Sequence, residues 1–293
     1  MIALTVSLTL STTVAGASIR VHDTRVNEQW ASMDGDWLAW TTDRGVSWVR
    51  HKGSEPRRLP DRYTAVGSIK LDRPFAGSLW FARSPAGTPN PCCPSNIRRY
   101  DLRTHQVVHA PPGVNTHFSE FNVTASGDYL LFGRSHFSSE FTGEDVILYR
   151  LSTGNARKIA SMRGDTRVRP GQVNGDFAVY ARCKNLCGVF RYRISTRTTR
   201  KITERIGSLR QLWPAVLPDG TVYFVKGNNE PGGGVKLNRF RNNHVTTIKT
   251  FPDRVDIGRL EARMVGGTPM VLFTRIVFKP SGFADSGIYR VKG

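Results

Sequence analysis

A cluster of basic side chains in the middle of the chain is the feature best suited to binding a ligand. Residues 150–210 hold 12 Arg and 3 Lys against Asp165, Asp176 and Glu204, and so supply +12 of the net charge of +19. Such an excess attracts an anionic partner, namely an acidic polymer, nucleic acid or an anionic lipid surface. The alternatives are an Arg-rich composition set by the coding sequence, or charged strand edges that discourage aggregation.

Four cysteines are the second chemically informative set. Cys183 and Cys187 flank a short segment, and Cys92 and Cys93 are adjacent in a Pro-rich segment. Four cysteines allow three pairings, of which we favour a Cys183–Cys187 disulfide. Cys92 and Cys93 either form a vicinal disulfide or stay reduced. A zinc site needs a second spaced pair of Cys or His ligands, so the sequence predicts no metal and no other cofactor.

A cation site and a hydrolytic site remain alternatives. His117, His136, Glu140 and Glu144 are predicted to approach one face and could bind a cation, although solvated loop residues are the commoner case. The chain has no Gly-x-Ser-x-Gly elbow, and its sequence does not assign the acid and nucleophile of a glycosidase. We therefore favour a binding protein, with a hydrolase of extracellular glycans or esters as the alternative.

The first 17 residues indicate export. They carry no charged side chain and end in Ala15-Gly16-Ala17, a pattern typical of a signal peptide cleaved after Ala17. No Lys or Arg precedes the apolar run, so an ordinary apolar strand is the alternative. We predict a signal peptide over residues 1–17, one domain over 18–293, and a secreted or cell-envelope protein. No later apolar stretch is long enough for a transmembrane segment in the mature chain.

Six apolar runs recur along the chain and predict the elements that position these residues. Each run follows a turn containing Gly or Asp, and their starts are 42 to 50 residues apart. The runs cover residues 36–40, 78–82, 128–132, 176–180, 221–225 and 269–273. An alternating strand, a polar turn and a third short strand follow most of them, which is typical of all-β proteins. Four-stranded units of about 45 residues, repeated six times, predict an all-β, six-bladed β-propeller.

The two ends of the sequence predict how the ring closes. The sixth unit stops at Ile288-Tyr-Arg-Val291 and lacks its last strand, whereas Ile19-Arg-Val-His22 belongs to no unit. We expect the N-terminal strand to complete the last blade, because this pairing removes a free sheet edge.

Two segments resemble a known family. Asp145-Val-Ile-Leu-Tyr-Arg-Leu-Ser-Thr-Gly-Asn-Ala-Arg-Lys-Ile159 and Pro214-Ala-Val-Leu-Pro-Asp-Gly-Thr-Val-Tyr-Phe224 are similar to units of TolB-like six-bladed propellers. The resemblance covers most of residues 18–293 and implies an exported, non-catalytic binding scaffold. Some members of that family are the propeller domain of a larger peptidase, but no catalytic residue set is matched here.

Antiparallel connectivity determines where a site is expected. The loops between second and third strands share one face with the links between blades, and we name this the long-loop face. Its predicted loops are residues 83–95, 133–144, 182–187, 226–234 and 275–287. Long loops in a compact fold tend to carry function.

We therefore predict binding of a protein or acidic polymer by a monomer at this face, with nucleic acid left open. The predicted binding residues are Arg163, Arg167, Arg169, Arg182 and Lys184. The predicted channel-lining residues are Glu28, Glu120, Asn122, Gln172, Arg210, Gln211, Arg259 and Glu261.

Overall fold

Six small antiparallel sheets form a ring in the computed structural model. The structure describes residues 19–22, 27–52, 54–62, 64–84, 95–137, 141–164, 166–203, 209–210, 213–228, 234–281 and 284–293. No α-helix occurs in these ranges. The chain is a six-bladed β-propeller, as the repeat predicts.

The first three blades follow the chain in order, with the innermost strand first. Blade one consists of β2 (Glu28–Asp34), β3 (Trp37–Thr42), β4 (Val46–His51) and β5 (Arg57–Arg62). Blade two consists of β6 (Thr64–Lys70), β7 (Ser78–Arg83), β8 (Asn96–Asp101) and β9 (Val107–His109). Blade three consists of β10 (Ser119–Ser126), β11 (Tyr129–Phe137), β12 (Phe141–Arg150) and β13 (Asn155–Arg163).

The last three blades repeat this order with two variations. Blade four consists of β14 (Arg167–Asn174), β15 (Phe177–Cys183), β16 (Cys187–Arg193) and β17 (Thr198–Lys201). Blade five has a divided inner strand and consists of β18 (Leu209–Arg210), β19 (Ala215–Val216), β20 (Val222–Asn228), β21 (Val235–Arg241) and β22 (His244–Phe251). Blade six consists of β23 (Val255–Val265), β24 (Thr268–Phe278), β25 (Ala284–Lys292) and β1 (Ile19–His22).

Strand β1 closes the ring. It pairs antiparallel with β25, so that Ile19 lies opposite Arg290 and His22 lies opposite Ile288. The predicted pairing of the two ends is confirmed. Because the last blade draws strands from both ends of the described chain, its outer edge is formed only when the whole ring is assembled.

The apolar runs are buried because each second strand lies between two neighbouring blades. In β11, the side chains of Leu130, Leu131 and Phe132 are all fully buried. Leu130 and Phe132 pack in a cluster with Trp80 of blade two, whereas Leu131 packs in a cluster with Tyr180 of blade four. Alternate residues thus enter two different cores, which explains a continuous apolar run rather than an alternating one.

The inner strands share a bulge at equivalent positions. Register shifts fall between Gln29 and Ser32, Val66 and Ser68, Phe121 and Thr124, Pro170 and Val173, and Ile257 and Leu260. Trp30 and Asn122 at these bulges have φ of 49° and 52°, and Trp213 has φ of 57° at the break between β18 and β19. At Gly171 a Cβ would collide with the carbonyl oxygen of Pro214, so this bulge requires glycine. The bulges turn the chain away from the regular ladder next to the channel.

The structure corrects the predicted loops of the long-loop face. The sequence predicts a long loop over residues 182–187, but β15 and β16 extend to Cys183 and Cys187 and leave only residues 184–186 between them. In the same way β11 and β24 extend to Phe137 and Phe278. Residues in these segments continue the antiparallel ladder, so their backbone groups find partners in the sheet. Residues 85–94 and 229–233 lie outside the described residues.

Candidate functional site

The five predicted binding residues come to the ends of blades three and four on the long-loop face. Arg163 ends β13, Arg167 and Arg169 lie in β14, Arg182 lies near the end of β15, and Lys184 lies in the turn that follows. We name this set the junction cluster. Their positions agree with the predicted face, whereas their role in binding stays a prediction.

A buried carboxylate orients one side of the junction cluster. Asp145 Oδ1 accepts hydrogen bonds from Ser161 Oγ at 2.6 Å and from Arg163 Nη1 at 3.2 Å. Its Oδ2 lies 2.8 Å from His136 Nε2 and 2.8 Å from Lys158 Nζ. Burial by itself would raise the pKa of Asp145, but hydrogen bonds from Lys158, Ser161 and His136 outweigh it and lower this pKa to about 2. Asp145 therefore stays ionised and holds the cationic groups of Lys158 and Arg163 around one negative charge.

A second buried carboxylate, that of Glu144, orients the other side of the junction cluster. Glu144 Oε2 accepts a hydrogen bond from the backbone N–H of Val168 at 2.8 Å and lies 3.5 Å from Arg169 Nη1. Arg182 reaches across to blade three, where its Nε and Nη2 lie 3.2 Å and 3.1 Å from Met162 Sδ. Glu144 and Met162 belong to blade three and the arginines to blade four. The junction cluster is therefore shared by two blades.

Burial separates the two signs of charge. The side chains of Asp145 and Glu144 are 2% and 7% exposed, whereas those of Arg163 and Arg169 are 55% and 31% exposed. Lys184 is exposed in its turn. Solvent therefore meets the cations while the carboxylates lie behind them, an arrangement that attracts anions.

The predicted disulfide is present beside this cluster. Cys183 and Cys187 face each other in the β15–β16 ladder and form a disulfide with a Cα–Cα distance of 4.0 Å. The bond clamps the turn that carries Lys184. Cys92 and Cys93 lie outside the described residues.

Two of the predicted channel residues connect blades across the ring. The side chain of Gln172 in blade four accepts hydrogen bonds from the backbone N–H groups of Val216 and Ala262, in blades five and six. The guanidinium of Arg259 in blade six donates to the carbonyl oxygens of Val66 at 2.7 Å and Val123 at 3.1 Å, in blades two and three. Burial lowers the pKa of Arg259 to about 10. Both side chains therefore connect different blades inside the ring through hydrogen bonds.

The position of Glu120 differs from the prediction that this residue lines the channel. Its side chain is fully buried, and Oε1 accepts hydrogen bonds from Thr116 Oγ1 at 2.8 Å and Arg134 Nε at 2.9 Å. Thr116 belongs to the link that joins blades two and three, so Glu120 lies between these blades rather than in the channel. Burial raises the pKa of Glu120 despite these bonds. A bulge reverses side-chain facing, which a strand pattern alone does not reveal. Glu28 is also fully buried, and the side chains of Arg210 and Gln211 are outside the described set.

The described members of the set proposed for a cation have other partners. Among the described residues no cluster of three or more His, Cys, Asp and Glu side chains is suited to a metal ion. His136 faces Asp145, and His117 packs its ring against Phe118 with 3.9 Å between centroids. Glu144 is engaged with Val168 and Arg169, and Glu140 lies outside the described residues.

Two carboxylates converge on the opposite face. Arg263 in blade six binds Glu261 Oε1 through Nε at 2.5 Å and Asp34 Oδ2 through Nη1 at 3.1 Å. Its Nη2 also donates to the carbonyl oxygen of Ile69 in blade two at 2.7 Å. A guanidinium held by both carboxylates ties blades six, one and two together.

Sequence reasoning missed the two carboxylates as orienting groups. The sequence suggests Glu144 only as a cation ligand and Asp145 only as the start of a repeat unit. A signal was available, since two adjacent acidic residues directly precede the apolar run 146–149, and the arginine-rich region follows it. Charged residues at the start of an apolar strand are buried when partners lie opposite them.

Comparisons with known proteins address the fold. Solved structures similar to this chain include a protein of unknown function from Dyadobacter fermentans, which aligns over 94% of this chain and 99% of its own at 11% identity and a TM-score of 0.61. TolB from Acinetobacter baumannii aligns over 85% of this chain and 59% of its own, at 14% identity and a TM-score of 0.50. An oligogalacturonate lyase in complex with manganese aligns over 94% and 96%, at 9% identity and a TM-score of 0.55.

These similarities show a six-bladed propeller. Identities this low establish the fold alone, and no protein-family model and no curated protein sequence matches the chain. The chain spans 42% of a prolyl endopeptidase, 53% of a puromycin-hydrolysing peptidase of Mycobacterium tuberculosis and 59% of the TolB chain. Propellers of both hydrolases and TolB thus share this architecture, and membership of the TolB-like family stays a prediction. The described residues contain no helix long and apolar enough to cross a membrane.

Proposed function

We propose that this propeller is an exported binding protein that engages an anionic polymer of the cell envelope through the junction cluster. The observation that carries the proposal is the separation of charge at the ends of blades three and four. The buried carboxylates of Asp145 and Glu144 lie 3.2 Å and 3.5 Å from the guanidinium groups of Arg163 and Arg169, whose side chains are 55% and 31% exposed. Fixed guanidinium groups bind carboxylate, sulfate and phosphate with little loss of side-chain entropy.

Export rests on two independent features. The Cys183–Cys187 disulfide is expected to persist in an oxidising compartment. Residues 1–17 have the pattern of a signal peptide and lie outside the described residues. The resemblance to TolB-like propellers agrees with an extracytoplasmic binding role.

Binding of a polyanion at two salt concentrations tests the proposal. The full chain is titrated with a sulfated glycan polymer at low salt and at about 0.5 M salt, where exposed charges are screened beyond about 4 Å. We expect affinity to fall at least about tenfold, because binding releases counterions from the polymer. Equal affinity at both concentrations would reject the electrostatic basis.

Two variants that leave the contacts of Asp145 and Glu144 intact locate the binding face. Lys184→Glu and Arg182→Gln change charge without removing a partner of Asp145 or Glu144, since the guanidinium of Arg182 lies against Met162 Sδ and over the ring of Phe190. We expect each to weaken polymer binding, while Lys292→Glu, at an exposed position of β25 in blade six, leaves it within about twofold. Thermal unfolding checks that all variants are folded. Equal effects of Lys184→Glu and Lys292→Glu would mean that net charge, not the junction cluster, controls binding.

A further inference from the structure

We propose that a groove on the rim between blades three and four is a separate binding site for an acidic saccharide. The groove has a volume of about 410 Å³ and includes Tyr129, Arg150, Arg157, Tyr192 and Arg197 in its lining. These residues lie at the strand ends on the face opposite the long-loop face, away from the junction cluster. The site is therefore independent of the function proposed above.

Contacts within the fold orient two of the three guanidinium groups. Arg150 Nε donates to Asp128 Oδ2 at 2.7 Å, and Asp128 is held in turn by the backbone N–H and hydroxyl of Ser152. Arg157 Nη1 donates to the hydroxyl oxygen of Tyr192 at 3.3 Å. The Asp128 contact uses only Nε of Arg150, so its terminal nitrogens keep donors for a ligand. Arg150 is 53% exposed and accessible from solvent.

The position of Arg197 adds a third cation from the neighbouring blade. It lies in the turn between β16 and β17 with φ of 59°, a left-handed conformation that fixes where its side chain leaves the backbone. Arg150 and Arg157 belong to blade three, whereas Arg197 and Tyr192 belong to blade four. A ligand in the groove therefore contacts two blades at once.

Charge and shape together define the ligand class. Three arginines and no acidic residue occur among the described residues that line the groove, so it suits a carboxylate or sulfate bound by guanidinium forks. The two tyrosines, with Leu148 and Ile194, add an amphipathic surface that a bare ion would not use. The volume suits one or two sugar residues. Nucleic acid offers similar chemistry, but the Cys183–Cys187 disulfide favours a compartment outside the cytosol, where acidic glycans occur.

Titration of the full chain with short defined probes tests the site. The probes are a chondroitin sulfate tetrasaccharide, its desulfated form, maltotetraose and a single-stranded oligo(dT) of four nucleotides. We expect calorimetry to detect both acidic saccharides and not maltotetraose. A preference for the sulfated form assigns the anion as sulfate, and equal binding of both assigns it as the uronate carboxylate. Binding of oligo(dT) as tightly as the saccharides, or failure of all probes, overturns the proposal.

Substitutions place the probe in the groove. Arg157→Gln and Arg197→Gln should each weaken saccharide binding about tenfold or more, because each removes a charged hydrogen-bond donor. Arg103→Gln is the matched control, since Arg103 is exposed and lies in the corresponding turn of blade two. Arg157→Lys keeps the charge and should recover only part of the affinity, because an ammonium lacks the planar fork. Equal losses in Arg103→Gln and Arg197→Gln would overturn the site.

The two proposals fail separately. If Lys184→Glu abolishes binding of the long polymer while the rim variants bind the tetrasaccharide normally, the groove is not the saccharide site. If the rim variants lose the tetrasaccharide and Lys184→Glu leaves polymer binding unchanged, the junction cluster is not the polymer site.

Discussion

Trp30 and Trp213 meet edge to face inside the ring, with 4.9 Å between ring centroids and 82° between the ring planes. Trp30 belongs to blade one and Trp213 to blade five, and these blades are not neighbours around the ring. Their contact therefore spans the channel at the level of the bulges. Arg259 and Gln172 connect other blades inside the ring. Ligands are accordingly expected on a face or on the rim rather than through the channel.

The tryptophan contact should couple blades one and five energetically. Trp30→Ala and Trp213→Ala should each lower the free energy of unfolding by about 2 kcal/mol, less than for a fully buried Trp because both are partly exposed. The double variant should show a coupling of about 1 kcal/mol in urea unfolding. Trp37→Ala combined with Trp213→Ala is the control and should be additive. Additivity of Trp30→Ala with Trp213→Ala would show that the contact contributes nothing.

Gln172 should be among the most sensitive polar positions of the ring. Its amide accepts from Val216 and Ala262 N–H groups and donates to the Ala262 carbonyl oxygen at 2.9 Å, all in buried surroundings. Gln172→Leu leaves these backbone groups unpaired and should cost about 2–4 kcal/mol of unfolding free energy. Chemical denaturation measures the loss, and Gln106→Leu at an exposed turn should change stability by less than about 0.5 kcal/mol. A loss of unfolding free energy no larger than that of the control would show that Gln172 does not hold the blades together.

Asp145 should make stability depend on acid pH. Its pKa is about 2 in the folded protein against an ordinary value of 3.8, so folding favours the ionised form. The stabilisation is therefore fully present above about pH 4 and is lost as the pH falls towards 2. It amounts to about 2 kcal/mol.

Comparison of Asp145→Asn with the unsubstituted chain isolates this contribution. The variant should be less stable at pH 7, and the difference should shrink as urea unfolding is repeated at lower pH. Glu55→Gln, at an exposed position, is the control and should show no such dependence. A stability difference that stays constant between pH 7 and pH 3 would refute the assigned role.

Strand β1 should stabilise the whole ring rather than one blade. Its pairing with β25 supplies the outer strand of blade six. Deletion of residues 1–23 should lower the midpoint of thermal unfolding while retaining a single cooperative transition, because the exposed edge belongs to a sheet packed against blades one and five. Deletion of residues 1–17 is the control and should leave the midpoint unchanged. Unaltered stability of the longer deletion would show that the closure contributes little.

The fold could be predicted from the sequence because the pattern of each repeat is local. The run Asp128-Tyr-Leu-Leu-Phe132 predicts a doubly buried strand, and β11 forms there with Leu130, Leu131 and Phe132 fully buried. The closure by Ile19–His22 followed from counting strands, and the Cys183–Cys187 disulfide followed from spacing. None of these required knowledge of which blades touch.

The facing of inner-strand residues was decided only in three dimensions. A bulge next to Asn122 reverses the alternation, so Glu120 turns towards Arg134 between two blades instead of into the channel. Likewise the partners of Arg259 lie 193 and 136 residues away, in blades two and three. Spacing along a strand carries no information about such distant groups.

The sequence by itself therefore determined the all-β class, the number of blades, the disulfide and the position of the basic region. These depend on short-range pattern, since alternation, turn residues and repeat length act within about 45 residues. The tertiary structure alone decided that Asp145 and Glu144 lie behind the arginines, that Trp30 meets Trp213, and that three arginines share a groove with two tyrosines. Each of these depends on contacts between strands or blades, which are fixed only when the sheets assemble and the ring closes.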